Sequence, residues 1–289
     1  MTATHEEAKP GAEPWGIRLS PLAWSGAGIV GALVCVAILA PFIAPYPLEH
    51  VDVTRQLEAP SASHWLGTDE HGADVLTHLI FGARVAAIVG GSTVSVCASI
   101  GILLGGLSGF LGGWVDEVVM RLTDVLMAFP GILLAILLIF ITQEPSILSV
   151  VGALSAGGWA SYARLVRGQV LSERERDYVE AARAMGFGRL RILVRHILPN
   201  TLGPVIVQAT FGVAGAILAE AALSFLGLGP QDATSWGAML DQGASYFLLT
   251  PHLAVAPGVA IMITVLGINF FGDGLRDALD PHRTHERST

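Results

Sequence analysis

The sequence predicts an all-α integral membrane protein with six transmembrane helices. Three observations carry this prediction: 52% of the 289 residues are hydrophobic, only 14% are charged, and the mean hydropathy is +0.60. A soluble domain carries about 25% charged residues. The charges are also concentrated in a few segments. The uncharged runs that remain are long enough for helices of about 20 residues, the length that crosses a bilayer.

Six apolar runs predict the six helices in order. The first occupies residues 21–45 and ends in the Pro-rich sequence Ala-Pro-Tyr-Pro. The other five lie between Arg84 and Asp116, between Asp124 and Glu144, between Glu144 and Arg164, from about Thr201 to Ala219, and between Asp241 and Asp273. The second and sixth runs are longer than one span. Residues 142–146 predict a tight polar turn between antiparallel third and fourth helices.

The distribution of arginine predicts the orientation of these helices. Lys and Arg in short loops favour the cytoplasmic side. If residues 1–20 are cytoplasmic, the eight arginines from Arg164 to Arg195 are cytoplasmic too, and only Arg55 and Arg84 lie outside. The predicted organisation is a cytoplasmic tail (1–20), a first helix (21–45), an external loop (46–84), a five-helix core (85–276) with a cytoplasmic loop (170–200), and a second cytoplasmic tail (277–289).

The cytoplasmic loop predicts two short helices with a turn between them. Ser172-Glu173-Arg174-Glu175 matches a capping box, which predicts a helix from Ser172 to about Met185. Gly186 and Gly188 would adopt the left-handed conformation that ends it. A second helix would run from Arg189 to Leu198, because Pro199 disfavours helical backbone at the residue before it.

The first of these helices carries a low apolar strip beside a single acid. The strip comprises Tyr178, Ala181, Ala182 and Met185, and the acid is Glu180. Such a strip is suited to accept side chains of a partner protein. The alternative is a solvated amphipathic loop whose arginines attract anionic lipid headgroups.

Five motifs follow one another along the chain. They read LGTDEHGADVL (66–76) with FGAR (81–84), DEVVMRLTDVLMAFP (116–130), Glu-Ala-Ala at 180–182 with Gly186 and Leu198-Pro199, SFLGLG (224–229), and GDGLRDALDP (272–281). In this order they resemble the permease subunits of ABC importers of the dipeptide, oligopeptide and nickel class. Ala73 stands where that family often has Arg, and His196 where the general loop pattern has Ile.

The resemblance implies a type I ABC-importer permease that forms half of a translocation pathway for peptides or a related small solute. The implied ATPase-coupling residues are Glu180, Ala181, Ala182, Gly186, Phe187, Leu198 and Pro199. The implied partners are a second homologous permease, two cytoplasmic ATPase subunits that bind ATP and Mg, an extracytoplasmic substrate-binding protein and the surrounding lipid, with no nucleic acid. The implied location is a bacterial inner membrane, with both termini cytoplasmic.

The chain itself is predicted to be non-catalytic and to bind no cofactor. It contains no Walker-type phosphate loop, no metal-site cysteine pair and no nucleophile elbow. An ion-coupled secondary transporter is the alternative, but it would place paired ionisable residues at mid-membrane and show inverted repeats. An intramembrane protease would need a Ser–His or paired Asp set, for which His252 at the edge of the sixth span is the nearest candidate.

A few polar and aromatic residues allow more than one interpretation. Glu220 has two interpretations. It is a candidate pathway residue, because charges at membrane depth are costly and are usually functional; alternatively, it lies near the outer end of the fifth span and reaches interface water. His64, His71 and His78 are spaced by seven residues. This spacing would bring them together as metal ligands only if they lay on one face of a helix. The favoured interpretation is that they are ordinary polar residues of an exposed loop, and no metal site is predicted. The charged residues Asp116, Glu117, Arg121 and Asp124 before the third span could line the cytoplasmic opening of a pathway. A local ion pair between Glu117 and Arg121, four residues apart on a helix, is the favoured interpretation.

The tryptophans and cysteines receive structural interpretations. Trp65, Trp114, Trp159 and Trp236 lie near predicted membrane edges and are assigned to an aromatic belt. Cys35 and Cys97 lie in apolar runs and are predicted to be buried free thiols.

Overall fold

The computed structural model describes residues 20–143 and 145–279, which form a bundle of α-helices. The helices are α1 (Pro21–Ile43), α2 (Val75–Leu111), α3 (Gly113–Ala128), α4 (Gly131–Thr142), α5 (Ile147–Glu173), α6 (Asp177–Ala184), α7 (Arg189–Ile192), α8 (Leu198–Phe225), α9 (Trp236–Ser245) and α10 (His252–Leu279). A 3-10 turn spans Val53–Arg55 and a π-helical turn spans Leu193–Ile197. Two isolated β-bridges are the only extended pairings in the described part of the chain. Most of the two predicted tails, and Glu144 of the predicted turn, lie outside the described residues.

Four of the described helical segments are long and apolar enough to cross a membrane. They are α1, α2, the continuous helix Arg189–Phe225 and α10. Helices α3 and α4 meet the same criterion only as a pair, which makes up to five. Helix α5 has 27 residues but is rich in Gly, Ser and Ala and carries Arg164 and Arg167. Length and composition therefore give four or five spans in the described residues, against six predicted.

The predicted third span is broken in the middle. Helices α3 and α4 are bent by 89° at Phe129 and Pro130. Pro130 has no N–H to donate, and proline disfavours helical backbone at the residue before it; Phe129 accordingly has φ −89° and ψ 137°. Helix α4 has 12 residues, or about 18 Å at 1.5 Å per residue.

Helix α2 begins earlier than the apolar run suggested. Its N-cap is Asp74, whose Oδ2 accepts a hydrogen bond of 2.8 Å from the Thr77 amide. Arg84 thus lies inside the helix, and the loop predicted for 46–84 ends at Asp74. The sixth run is likewise divided, because α9 and α10 are separate helices joined by residues 246–251.

Two predictions for residues 170–200 are wrong. Ser172 is not a helix cap, because α5 continues to Glu173 with Val166 and Val170 fully buried, and α6 starts only at Asp177. The second helix does not stop at Leu198. The π-helical turn widens the helix just before Pro199, which lacks the N–H for a regular i→i−4 bond, and α7 continues through it into α8.

Close packing of α2 against α5 organises the bundle. A Cβ atom on Gly101 would lie 2.3 Å from Tyr162 Cβ, and one on Gly105 would lie 2.3 Å from the Ala163 carbonyl oxygen. Small residues permit such an approach between helix backbones in lipid, where the hydrophobic effect does not drive association. Helix α1 packs in a similar way on α10 through Gly26.

The aromatic-belt assignment is wrong for two of the four tryptophans. Trp159 is 7% exposed and Trp236 is 4% exposed, and Trp236 donates from Nε1 to the Leu79 carbonyl at 2.8 Å. Trp65 and Trp114 are exposed. Both cysteines are free, as predicted, but only Cys97 is buried.

Candidate coupling site at the arginine-rich end

Helix α6 ends in a Schellman motif centred on Gly186. Gly186 has φ +79°, its amide donates to the Arg183 carbonyl at 2.9 Å, and the Phe187 amide donates to the Ala182 carbonyl at 3.2 Å. This pair of bonds defines the motif, and its left-handed residue is usually glycine. The predicted left-handed conformation is confirmed at Gly186. It is wrong for Gly188, which has φ −64° and caps α7.

The residues assigned to coupling divide between two faces of this segment. Ala182 is 1% exposed and packs in a core cluster with Val170, Val179 and Ile192. The predicted docking strip is therefore wrong about Ala182. The remaining members differ in exposure: Glu180, Ala181, Gly186 and Pro199 are exposed, and Phe187 and Leu198 are half-buried.

Glu180 lies at the rim of an open cleft of about 640 Å³. Arg174, Arg183 and Arg189 also line this cleft, and Phe110 and Ile192 contribute its apolar part. Within the described residues, Glu180 has no recorded ion pair or hydrogen bond to its carboxylate. The structure thus leaves this acid available at the surface.

Tyr178 ties the segment to the two long helices on either side. Its hydroxyl donates to Glu173 Oε2 at 2.8 Å and accepts from Asn200 Nδ2 at 3.1 Å. Burial, with the Glu173 carboxylate as acceptor, raises the pKa of Tyr178. Tyr178 therefore braces the ends of α5 and α8, a role that its assignment to the docking strip did not foresee.

The turn after α6 is also held by ring contacts. The Phe187 ring stacks on His196 with centroids 5.6 Å apart, and the Arg191 guanidinium lies 5.3 Å from the Phe187 centroid. A guanidinium over an aromatic face is an attractive arrangement. Phe187 is thus positioned by the helix that follows it.

Two ion pairs join α3 to α5. The Arg167 guanidinium donates from Nε and Nη2 to the two carboxylate oxygens of Asp116, at 2.5 and 2.6 Å. Arg164 Nη2 donates to Asp124 at 2.5 Å. The local Glu117–Arg121 pair favoured from sequence is wrong, since no ion pair joins these two residues in the described structure. Helical spacing cannot reveal a partner on another helix. The signal available in the sequence was that Asp116 and Asp124 precede the predicted third span and Arg164 and Arg167 follow the fourth, so that the two pairs of charges would lie on the same side of the membrane.

Glu220 is fully buried and does not reach interface water. It is 1% exposed, and Ser224 Oγ donates to its Oε1 at 2.6 Å. Helix α8 continues past Glu220 to Phe225 and places it under the loop that leads to α9. The geometry gives this acid a buried hydrogen bond within the last turns of α8.

The three histidines do not share a helix face. His64 is buried, and its Nδ1 lies 2.9 Å from Asp74 Oδ1; His71 is exposed; His78, within α2, has Nδ1 3.7 Å from Asp69 Oδ2. Among the residues that the structure describes, no three His, Cys, Asp or Glu side chains are grouped as metal ligands. The spacing of seven therefore does not produce a cluster.

A groove of about 420 Å³ lies beside the bend between α3 and α4. Helices α2, α5 and α8 form its other walls. Its lining is free of charged side chains and includes Thr93, Phe129, Tyr162, Gln208 and Gly212. The groove thus combines apolar surface with a few hydroxyl and amide groups.

Comparison with known proteins decides the family. Residues 101–285 match the family described as "Binding-protein-dependent transport system inner membrane component", and residues 17–60 match the "N-terminal TM domain of oligopeptide transport permease C". The chain belongs to this family of permeases. The prediction made from the five motifs is confirmed.

Curated relatives cover nearly the whole chain. A dipeptide transport system permease protein, DppC, of Alkalihalophilus pseudofirmus is 40% identical over 282 residues, which is 96% of this chain and 92% of the relative. Glutathione transport system permease proteins, GsiD, are 43% identical in Pectobacterium atrosepticum (86% of this chain, 83% of the relative) and 42% identical in Shigella dysenteriae (91% and 88%).

A solved structure shows the same fold. The chain resembles one from the inward-facing MetNI methionine ABC transporter, with a TM-score of 0.57 and 21% identity over 70% of this chain and 96% of that chain. The protein is thus a multi-pass inner-membrane permease subunit of an ABC importer. Permeases of this kind are transport subunits that act with ATPase and substrate-binding partners.

Proposed function

We propose that this chain is one of two related permease subunits of an ATP-driven importer of short peptides. The relatives are named for dipeptide and glutathione transport, and both solutes are short peptides. The second permease, two ATPase subunits with their ATP and Mg, and one external binding protein complete the proposed complex. The uncharged groove beside the α3–α4 bend supports a pathway shared with another subunit, because one such groove cannot enclose a polar peptide.

The proposed topology has six spans with the arginine-rich end in the cytoplasm. The spans are α1, α2, the bent pair α3–α4, α5, the α7–α8 helix and α10. The long loops at 44–74 and 226–251 then lie outside, and both tails lie inside. The concentration of arginine between Arg164 and Arg195 supports this orientation.

The proposed coupling element is α6 with its Gly186 turn. One observation carries this proposal: a short, well-braced helix ends in a glycine-dependent turn and presents at the surface an acid, Glu180, whose carboxylate has no partner among the described residues. Glu180, Ala181, Gly186 and Pro199 would contact the ATPase. Ala182, Phe187 and Leu198 would hold the shape of the segment from within.

Reconstitution tests the proposed function. Proteoliposomes containing this chain, its partner permease and the ATPases should take up a labelled dipeptide only when ATP is inside and the binding protein is outside. The matched controls omit one component at a time. Uptake by this chain alone, or uptake driven by an ion gradient without ATP, would contradict the proposal and favour a secondary transporter.

Accessibility labelling tests the topology. Single cysteines at Gln56 and Gln231 should react with an impermeant reagent in intact cells, and one at Gly188 should react only after the membrane is opened. Labelling of the Gly188 position from outside would reverse the orientation.

A further inference from the structure

Helix α3 combines partial apolar packing with charged side chains that bond to α2 and α5. Within α3, all of which is described, Thr123 is the single buried residue. Val118, Leu122 and Val125 are 45%, 47% and 57% exposed on its outer surface. Helix α4 differs, because Ala135 and Ile139 lie in a core cluster with Val150 of α5. Leu126 of α3 is half-buried and packs against the core cluster that contains Val94 and Tyr162. The bend at Pro130 therefore separates α4, which contributes residues to the core, from α3, whose apolar packing is only partial.

Asp116 is the principal attachment of α3. It forms the two-bond pair with Arg167, and Ser108 Oγ of α2 donates to the same carboxylate at 2.5 Å. The Asp116 and Arg167 side chains are 21% and 31% exposed, whereas Asp124 and Arg164 are 61% and 47% exposed. A two-bond Arg–carboxylate pair fixes orientation as well as distance, and exposed pairs contribute little.

Further hydrogen bonds on the same side of α5 connect this attachment to α6. Arg174 Nη1 donates to the Gly109 carbonyl of α2 at 3.1 Å, and Arg183 Nη2 of α6 donates to the Arg174 carbonyl at 3.4 Å. Side chains thus connect α6 to the end of α5, and α5 to the corner between α2 and α3. The corner is tight, since a Cβ atom on Gly109 would lie 2.9 Å from the Arg167 carbonyl oxygen.

We propose that the Asp116–Arg167 pair is a positioning element that makes α3 move with α5 and α6, so that displacement of the coupling segment changes the bend beside the groove. This inference rests on the coupling role proposed for α6. A packed helix would follow its neighbours through apolar contacts. Helix α3 has only partly buried apolar residues, and the ion pair fixes its orientation in addition.

The test uses the full complex with partner permease, ATPases and binding protein. Asp116→Asn and Arg167→Gln should assemble at normal levels and retain basal ATP hydrolysis. The ratio of binding-protein-stimulated to basal hydrolysis should fall by about fivefold, within the range measured for coupling mutations. The double variant Asp116→Arg/Arg167→Asp should recover most of the ratio. Glu117→Gln, an exposed neighbour on α3 with no recorded partner, is the matched control and should behave as the original protein.

A distance measurement gives a readout that does not depend on activity. Spin labels at Leu122 of α3 and Glu175 beside α6, with the native cysteines replaced, should give one narrow distance distribution. Arg167→Gln should broaden it, and the charge-reversed pair should narrow it again. The proposal would be overturned if both single variants kept the original distance distribution and the original ratio of stimulated to basal hydrolysis. It would also be overturned if the double variant restored neither the narrow distribution nor the ratio. If a single variant does not assemble, Arg167→Lys, which keeps the charge but not the two-bond geometry, must show the broadening.

Gly186→Val in the same preparation separates this inference from the proposed function. If Gly186→Val abolishes stimulation and Arg167→Gln does not, only the positioning role fails. If neither variant affects stimulation, the coupling role of α6 fails as well.

Discussion

The two ends of the bundle use their polar residues differently. At the end formed by residues 44–74 and 226–251, two polar pairs are buried: His64 with Asp74, and Glu220 with Ser224. At the arginine-rich end, polar groups join separate helices, as in Asp116–Arg167, or lie at the surface with no partner in the described part of the chain, as does Glu180. The two buried pairs stabilise the first end internally, whereas the exposed groups of the second end are accessible to the partner proposed above.

The largest stability difference between the ends should come from their aspartates. Asp74→Ala removes the cap of α2 and leaves His64 buried without its partner, so it should destabilise the protein by about 3 kcal/mol. Asp124→Ala removes an exposed pair and should change stability by less than about 1 kcal/mol. Thermal unfolding of both variants in detergent measures the difference. Equal melting temperatures would contradict the contrast.

Variants of Glu220 distinguish a structural role of this side chain from a role of its charge in the transport pathway. Glu220→Ala leaves the buried Ser224 hydroxyl without its acceptor and should destabilise the protein by about 2 kcal/mol. Glu220→Gln keeps an acceptor at the same place. It should leave stability within about 1 kcal/mol of the original, with uptake close to normal. Loss of uptake in a stable Glu220→Gln protein would instead assign the charge to the pathway.

Much of the fold could be predicted from local sequence, but contacts between helices could not. The apolar runs reveal helices because burial in lipid depends on composition, and Gly186 reveals a turn because few other residues accept its backbone conformation. The capping signal at Ser172 failed because packing of Val166 and Val170 extends α5 through it. Helices continue or stop according to such tertiary contacts as well as local propensity.

The candidate site shows the same division. The sequence predicted the exposed acid Glu180 and the turn at Gly186, both of which are local features. It placed Ala182 on the wrong face and missed the pairing of Asp116 with Arg167, because both depend on how α5 and α6 pack against neighbours distant in sequence.

Tyr178 offers a smaller perturbation at the arginine-rich end. Tyr178→Phe removes the hydrogen bonds to Glu173 and Asn200 and should lower stability by about 1 kcal/mol, with a modest loss of uptake. Because burial raises the pKa of Tyr178, its contribution is present below the unfolded pKa and is lost only as the pH rises through the higher folded value. The difference in free energy of unfolding between the original protein and Tyr178→Phe should therefore be constant from about pH 6 to pH 9. A stability difference that disappears between these pH values would contradict a stabilising role for the Tyr178 hydrogen bonds.

The coupling role proposed for the arginine-rich end is tested most directly by two glycine variants. In Gly186→Val, a β-branched residue must adopt the left-handed conformation, which costs about 1–2 kcal/mol and shifts the equilibrium away from the native turn by about 5- to 30-fold. Gly188→Ala is the matched control, since Gly188 has φ −64° and open space around it. ATP-dependent dipeptide uptake, measured at equal membrane levels, should fall at least about fivefold in Gly186→Val and stay near normal in Gly188→Ala. Normal uptake in both variants would show that this turn does not carry the coupling.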